Sequence, residues 1–565
     1  MERILIPLPR RIRWGDGTFD LGGRDVCRIA SGDGPVSGLA LTLGEPPACE
    51  APEGADAYAL RITPRGLRLQ AGSEAGLFYG LQTLAQLEEG GVLPAVEIDD
   101  WADIPIRMLH WDLKGYLPKF DVLCEELRIL ASCKVNAILL ELEDKYDFAS
   151  APGVGVAGAY TREQLRELSR LAKSLHIRIV PKLQSIAHVD YILKHAAYRD
   201  LRENGHVFQY CPCSEAAQAL WEAMAEELMD CFEEHRGYFH IGADEPGNLG
   251  ECPRCAKLGK AGSYLKKVGA CADFVRDRGW TPVLWDDILR NKGGLFDPAE
   301  EAPLRQKLGR DAVLMYWAYG YGGKNNEFPY LDTYAGEGLR VWGASGYAGC
   351  DNWAGSLPPL AIRGQNLDAW AVAAKDRALE CVCATGWTRI GSADCPAEPQ
   401  ESSWFTILYA AQSMWSGPRP YRAFAEDVFR RFYGAAPDGA LLDAVLDIAR
   451  HPCAGDLGQG TERLDFLRVL AAMESLDGRR RRLDNWFQYY DGKLGAELED
   501  YRLAMLRRFT AALKADLAAL KARAEAVLPA YYEPVTVREL LQSRFSSLEK
   551  RNKELSDLLS RTREM

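Results

Sequence analysis

Two carboxylates, Asp244 and Glu245, stand side by side at the end of the apolar stretch Tyr238-Phe-His-Ile-Gly-Ala-Asp-Glu-Pro246. Like charges so close cannot both ionise cheaply, so one pKa of the pair is expected to rise. A carboxylic acid that keeps its proton near neutral pH can act as a general acid. The plainer alternative is a pair of strand-end carboxylates that cap the next helix or meet basic residues. Other short apolar stretches are also followed by polar and aromatic residues. They include Asp112, Lys114, Glu141, Glu143, Asp144, Gln184, His188, Trp285, Asp286, Asp287, Trp317, Tyr319, Tyr321, Tyr347, Asp351, Trp353, Trp387 and Arg389. Carboxylates do acid–base work and tryptophan faces stack on sugar rings, so the mixture suggests a carbohydrate site.

The elements that must position these residues are legible in the apolar pattern. Eight candidate strands fall at 108–113, 137–142, 178–183, 238–242, 282–285, 312–316, 339–343 and 379–384. Amphipathic helices fit between them, for example at 120–133, 162–175, 215–234 and 263–277. Strand–helix alternation implies a parallel sheet with helices outside, and eight units suggest an α/β fold of the (β/α)8 TIM-barrel type. Catalytic groups then project from the carboxyl ends of the strands. A doubly wound open sheet is the rival, weakened by the lack of a Gly-rich phosphate loop after the first strand. Gly320-Tyr-Gly-Gly-Lys324 has glycines without that spacing or context.

Before the barrel, residues 1–102 read as a small α+β domain. A hairpin pattern runs from Tyr58 to Gln70 about a Pro-Arg-Gly turn, and Leu77, Leu81, Leu84 and Leu87 recur at helical spacing. The catalytic barrel is assigned to 103–420. Residues 421–565 read as a charged helical region, with apolar three- and four-residue steps in 462–486, 494–526 and 537–563. That region is expected to pack on the barrel or on a second subunit, which makes a homodimer an expectation. The run Arg479–Arg482 reads as a solvated face.

The chain has 565 residues, 47% hydrophobic and 26% charged, with a formal net charge of -12. This composition excludes intrinsic disorder and argues against nucleic acid or an anionic membrane as the main partner. No apolar run reaches the roughly 18–20 residues a membrane helix requires. No secretory pattern is seen at the start, so a cytoplasmic location is expected, with the fifteen cysteines as reduced thiols. Cys211-Pro-Cys213 and Cys252-Pro-Arg-Cys255 flank the fourth strand, and could together hold a tetrahedral structural zinc ion. The alternative is reduced cysteines without metal.

His240-Ile-Gly-Ala-Asp-Glu245 resembles the H-x-G-x-D-E signature of glycoside hydrolase family 20, the β-N-acetylhexosaminidases. Tyr58–Leu87 resembles the family's small N-terminal domain. Asp103–Gly115, Asn136–Asp144 and Pro181–His188 with Tyr191–His195 resemble its first three barrel strands. These segments are especially similar to the hexosaminidase D branch, and the likeness spans roughly residues 55–420.

The resemblance implies an exo-acting retaining enzyme that removes terminal β-linked GlcNAc or GalNAc from a glycan or glycoconjugate. The substrate's own acetamido oxygen would be the nucleophile, and no cofactor would be required. Glu245 would be the general acid and then the base, and Asp244 would accept from the acetamido N–H. Trp285, Trp317 and Trp387 would wrap the acetamido methyl, and Tyr319 or Tyr347 would bond its oxygen. Asp144 and His188 match positions near the acid and the sugar hydroxyls, and His240 would be a buried orienting group. Lys114 stands where many members carry an arginine, and Arg389 where a carboxylate often follows the last tryptophan. The loop after the seventh strand also departs from the usual pattern. These departures leave the choice between gluco and galacto sugars open. The rivals are a silent amino-sugar-binding relative, metal-assisted hydrolysis, and a glycosidase of different sugar specificity that uses two protein carboxylates.

Overall fold

The computed structural model describes residues 3–24, 36–292, 294–320, 327–350, 357–389, 391, 398–446, 463–473, 476 and 500–561. Asp351, Trp353, Tyr321, most of the glycine-rich 320–324 segment and Arg479–Arg482 lie outside these residues.

Eight parallel strands close into a barrel in chain order: Ile106–Asp112, Ala137–Glu141, Arg178–Lys182, Tyr238–His240, Thr281–Trp285, Val313–Trp317, Arg340–Ala348 and Cys381–Gly386. Closure is made where Cys381 pairs with Ile106. Every strand anticipated from the apolar runs is present. The seventh runs beyond its expected end to Ala348, because its small residues let it continue pairing with the eighth strand across a register shift. Inward-facing Met108, Leu139, Val180, Val283, Met315 and Trp342 fill the barrel, which is therefore a packed core with its free space at the rim.

The surrounding helices form for local reasons. Arg162–Ser174 buries Leu165, Leu168, Ser169 and Ala172, one face at three- and four-residue steps, and Thr161 and Gln164 close a reciprocal capping box at its start. The helix from Glu215 ends at Cys231, followed by a short 3₁₀ turn, Glu233–His235, where the apolar pattern alone predicts one continuous element.

The segment before the barrel is a six-stranded antiparallel sheet in the order Arg11–Asp20, Val92–Asp100, Tyr58–Thr63, Gly66–Ala71, Ala40–Gly44, Val36–Ser37. The helix Glu74–Leu87 covers one face. Buried Asp100 ties this sheet to the barrel by accepting from Lys134 Nζ at 2.8 Å, Tyr58 Oη at 2.7 Å and Trp415 Nε1 at 2.9 Å.

At the other end, Asp500–Val527 and Pro534–Arg561 form a long helical hairpin with its own core, shared with Phe466, Leu470 and Met473. The hairpin docks on the loop after the first strand. Lys119 N–H donates to Tyr531 O (3.0 Å), Glu533 N–H to Leu117 O (3.1 Å), and Leu117 N–H to Thr536 Oγ1 (2.8 Å). That loop begins at Lys114, so the C-terminal helices brace one wall of the barrel mouth. Among the described residues no helix is long and apolar enough to cross a membrane.

Candidate active site

The barrel rim gathers the polar residues that the apolar stretches end on. The fourth strand is only three residues long and then turns sharply, with positive φ at Gly242, Ala243 and Glu245. Gly242 is required there. Its φ is +65°, and a Cβ at this position would fall 1.8 Å from Gln184 Oε1. Gly242→Ala is expected to cost about 1–3 kcal/mol, read as a lower urea midpoint.

The turn separates the two adjacent carboxylates. Asp244 points inward and is buried, whereas the Glu245 side chain keeps 52% of its exposure. His188 lies between them, its Nε2 3.5 Å from Asp244 Oδ2 and 3.5 Å from Glu245 Oε2. His188 is itself left-handed, at φ 54°, and its ring stands edge-on to Phe208 at 4.5 Å. Burial works against the His188 imidazolium, but the facing Asp244 and Glu245 outweigh it and its pKa is raised. The His188 hydrogen bond holds Glu245 below the usual carboxylate range, with burial opposing.

Glu245 is therefore not the member of the pair that adjacency raises. Neighbouring carboxyls are pushed up. Burial, with Asp244 and Asp286 adding to it, drives Asp287 up to about 7. Burial also drives Glu143 up to about 8, against the pull of Lys114 and Arg389.

Asp287 Oδ2 accepts the Glu245 N–H at 3.1 Å and so fixes the turn. A carboxyl raised to about 7 stays protonated in the fold while the unfolded chain ionises near its ordinary value. Stability is therefore lost as pH rises from about 4 to 7. Asp287→Asn keeps an acceptor and removes that loss. Its Tm is expected to gain on the parent's progressively over pH 4–7, then hold constant above about pH 8, in melts across pH 4–8.5.

A second acid–base cluster spans the first three strands and the last. Glu141 Oε2 meets Lys182 Nζ at 2.7 Å, His110 Nε2 at 3.1 Å and Lys114 Nζ at 3.6 Å. Lys114 also lies 3.5 Å from Asp112 Oδ2 and over the Trp387 ring at 4.9 Å. It is buried, which disfavours its charge, but Asp112, Glu141, Glu143 and Asp244 more than compensate, and its pKa is raised. Arg389 is buried beside Asp144 (3.4 Å) and Glu143 (3.5 Å). Asp144 also bonds Lys145 and meets Lys194 at 3.4 Å. Burial of Asp144 is outweighed by Lys145 and Arg389, which lower its pKa.

The aromatic residues converge beside this cluster, with Lys182 over both Trp285 and Trp387. Trp285 and Trp387 lie 5.5 Å apart, centroid to centroid, and Trp317 stacks on Tyr319 at 5.2 Å and 27°. Trp387 Nε1 donates to Tyr319 Oη at 2.8 Å. Tyr347 differs: it is buried, and its hydroxyl donates to the His110 carbonyl at 3.0 Å. His240 is fully buried over Trp285 at 4.6 Å and accepts the Gly242 N–H on Nδ1 at 3.0 Å. Burial, with Lys182 and His110 beside it, keeps this histidine neutral.

Lys292 is a neighbour that sequence reasoning missed. Its Nζ stands 3.3 Å from the Trp317 ring centroid and its charge acts on Glu245. No periodicity marks a lysine in a turn; only the path of 288–292 back over the rim brings it there.

Two family models match this chain: "Glycosyl hydrolase family 20, domain 2" over residues 30–101, and "Glycosyl hydrolase family 20, catalytic domain" over residues 134–331. Residues 30–101 and 134–331 thus resemble two domains of glycoside hydrolase family 20. Among curated proteins, it is 28% identical to Hexosaminidase D of Bos taurus over 299 residues, covering 50% of this chain and 84% of that one. It is 27% identical to Hexosaminidase D of Homo sapiens over 307 residues, covering 50% of this chain and 60% of that one. Among solved structures, a chitobiase from Flavobacterium johnsoniae superposes with a TM-score of 0.59 at 17% identity, over 99% of both chains. A β-N-acetylhexosaminidase from Bacteroides fragilis NCTC 9343 superposes with a TM-score of 0.58 at 17% identity, over 77% of this chain and 96% of that one. At these identities the structural likeness speaks for the fold.

Proposed function

We propose that this chain is an exo-acting retaining β-N-acetylhexosaminidase of family 20 that works by substrate assistance on glycans ending in β-linked GlcNAc or GalNAc. The observation that carries the reading is Asp244. Its Oδ1 is buried with no hydrogen-bond partner among the described residues, beside the half-exposed Glu245. An orphaned buried carboxylate oxygen is costly unless a ligand donates to it, and an acetamido N–H is such a donor.

In the proposed reaction the acetamido carbonyl oxygen attacks C1 as the C1–O glycosidic bond breaks. Glu245 gives its proton to the departing oxygen. Asp244 holds the N–H and balances the positive charge of the oxazolinium ion. Water then attacks C1, the C1–O bond to the acetamido oxygen breaks, and the water's proton returns to Glu245. This is the substrate-assisted exception to the two-carboxylate scheme, and it calls on no cofactor.

A sugar seated over the half-exposed Glu245 would desolvate its carboxylate and favour the protonated form that the first step needs. Trp285, Trp317 and Trp387 would enclose the acetamido methyl. Tyr319 is preferred to Tyr347 for the acetamido oxygen, because its hydroxyl lies among the tryptophans while the Tyr347 hydroxyl is spent on the barrel wall. Lys114, Asp144 and Arg389 would meet the sugar hydroxyls. Domain limits at 102/103 and 420/421 and a cytoplasmic location belong to the same proposal.

The test is hydrolysis of chromogenic β-GlcNAc, β-GalNAc and β-glucoside substrates. Cleavage of the acetamido sugars alone supports the proposal. Cleavage of the glucoside at a comparable rate overturns substrate assistance. Binding of N-acetylglucosamine thiazoline without turnover of any substrate means a silent sugar binder and overturns the enzyme reading.

A further inference from the structure

Beside the mouth of the barrel, and outside the carbohydrate machinery, three cysteines and a glutamate converge from two separate segments. Glu203 lies in the hairpin Arg202–Glu203/His206–Tyr210, Cys211 directly follows it, and Cys252 and Cys255 belong to the chain that follows Glu245. We propose that Glu203, Cys211, Cys252 and Cys255 bind one structural zinc ion that staples this hairpin to that loop.

The geometry is that of a tetrahedral site. Zinc–thiolate bonds of about 2.3 Å in a tetrahedron put sulfurs about 3.8 Å apart. Cys211 Sγ lies 3.8 Å from Cys252 Sγ and 3.7 Å from Cys255 Sγ. Cys255 Sγ lies 3.3 Å from Glu203 Oε2, and the four donor atoms all lie within 4.8 Å of one another.

Donors are aimed at two of the sulfurs, while burial pushes the metal-free Cys211 and Cys255 thiols up. Cys255 N–H donates to Cys252 Sγ at 3.4 Å, and Arg254 Nη2 donates to Cys211 Sγ at 3.5 Å. Glu203 is fully buried, and its other oxygen accepts the Cys252 N–H at 2.7 Å. Amide and guanidinium donors aimed at sulfur stabilise the anion that zinc requires. Soft sulfur ligands at tetrahedral edges select zinc over the hard cations.

The donor set differs from the four cysteines expected from spacing. Cys213 stays next to Cys255, but the fourth donor in the cluster is Glu203. No spacing rule links residue 203 to this group; the hairpin brings it there.

The staple has a mechanical consequence. The hairpin carries Phe208, against which His188 stands, and Gln209, whose Oε1 accepts the Asn248 N–H at 3.1 Å. Zinc would therefore hold the His188 support and the chain just after Glu245 in one piece, a positioning role without contact to the reacting atoms.

The experiment measures zinc directly, so its outcome is independent of the glycosidase reading. The untagged full chain is dialysed against metal-free buffer and analysed by elemental mass spectrometry and native mass spectrometry. One zinc per chain is expected, released in step with the titration of thiols by a mercurial. Cys252→Ser and Cys255→Ser are expected to hold less than a tenth of that zinc. Glu203→Gln is expected to weaken zinc binding at least tenfold, and Cys213→Ala to keep the full equivalent. Because a cysteine variant can fail to fold, the mercurial release from the parent chain stands as the second measurement. A parent chain with less than a tenth of an equivalent of zinc overturns the proposal. So does an equivalent of iron in its place, or a disulfide among these cysteines. Loss of zinc in Cys213→Ala with retention in Glu203→Gln overturns the donor set.

Discussion

Glu245→Gln is expected to lower kcat/KM for an aryl β-N-acetylhexosaminide by about 10²–10⁴-fold, the range a positioned general acid supplies. The amide is isosteric, can still accept from His188, and leaves the backbone bond from Glu245 N–H to Asp287 Oδ2 intact. Folding should therefore be unaffected. The loss should depend on the leaving group: largest for an alkyl aglycone that must be protonated to depart, smallest for a dinitrophenolate that leaves as the anion. Equal losses for both aglycones would remove Glu245 from the acid role. The parent's pH profile should carry a basic limb that reports the Glu245 proton, with His188 bonded to the same carboxyl, and the variant should lose it.

Asp244→Asn is expected to lower kcat by about 10²–10³-fold, with a smaller change in KM, because the carboxylate's charge is called on mainly as positive charge develops. Asp244 is buried, faces His188 at 3.5 Å and leaves Oδ1 unpartnered among the described residues. Asparagine retains one acceptor for the acetamido N–H, so the ground-state bond survives while the charge does not. A variant that loses only affinity, with kcat intact, would make Asp244 a binding residue and would shift the stabilising role elsewhere in the cluster. Loss of the carboxylate should also ease the His188 imidazolium back toward its ordinary pKa, because Asp244 is the largest of the charges that raise it. Histidine chemical shifts followed over pH would read that change.

The two predictions depend on an electrostatic arrangement that adjacency does not describe. Asp244 and Glu245 are neighbours in the chain, yet the positive φ at Ala243 and Glu245 turns one side chain into the barrel and the other toward solvent, with a histidine between them. That histidine has its own pKa raised. Elevated carboxyls at the rim include Asp287, at about 7, and Glu143, at about 8. They share the rim but reach it from different strands.

By itself the sequence determined the architecture. Eight apolar runs of strand length, separated by stretches with helical periodicity, become eight parallel strands in consecutive order, because periodicity records which faces must leave water and each crossover is local in the chain. It also marked the strand ends, which can be read directly, as the place to seek the chemistry. What only the tertiary structure decided involves groups whose meeting depends on the path of loops. The Tyr347 hydroxyl is consumed by His110 of the first strand and the Tyr319 hydroxyl is met by Trp387. Lys292 folds over Trp317. Glu203 joins Cys211, Cys252 and Cys255 in one cluster of donors. The C-terminal helices dock on the loop that begins at Lys114. Each of these contacts joins residues whose separation carries no period, and local propensity has no term for them. They are settled by packing and by the need of buried polar groups for partners, which exist only once the barrel is closed.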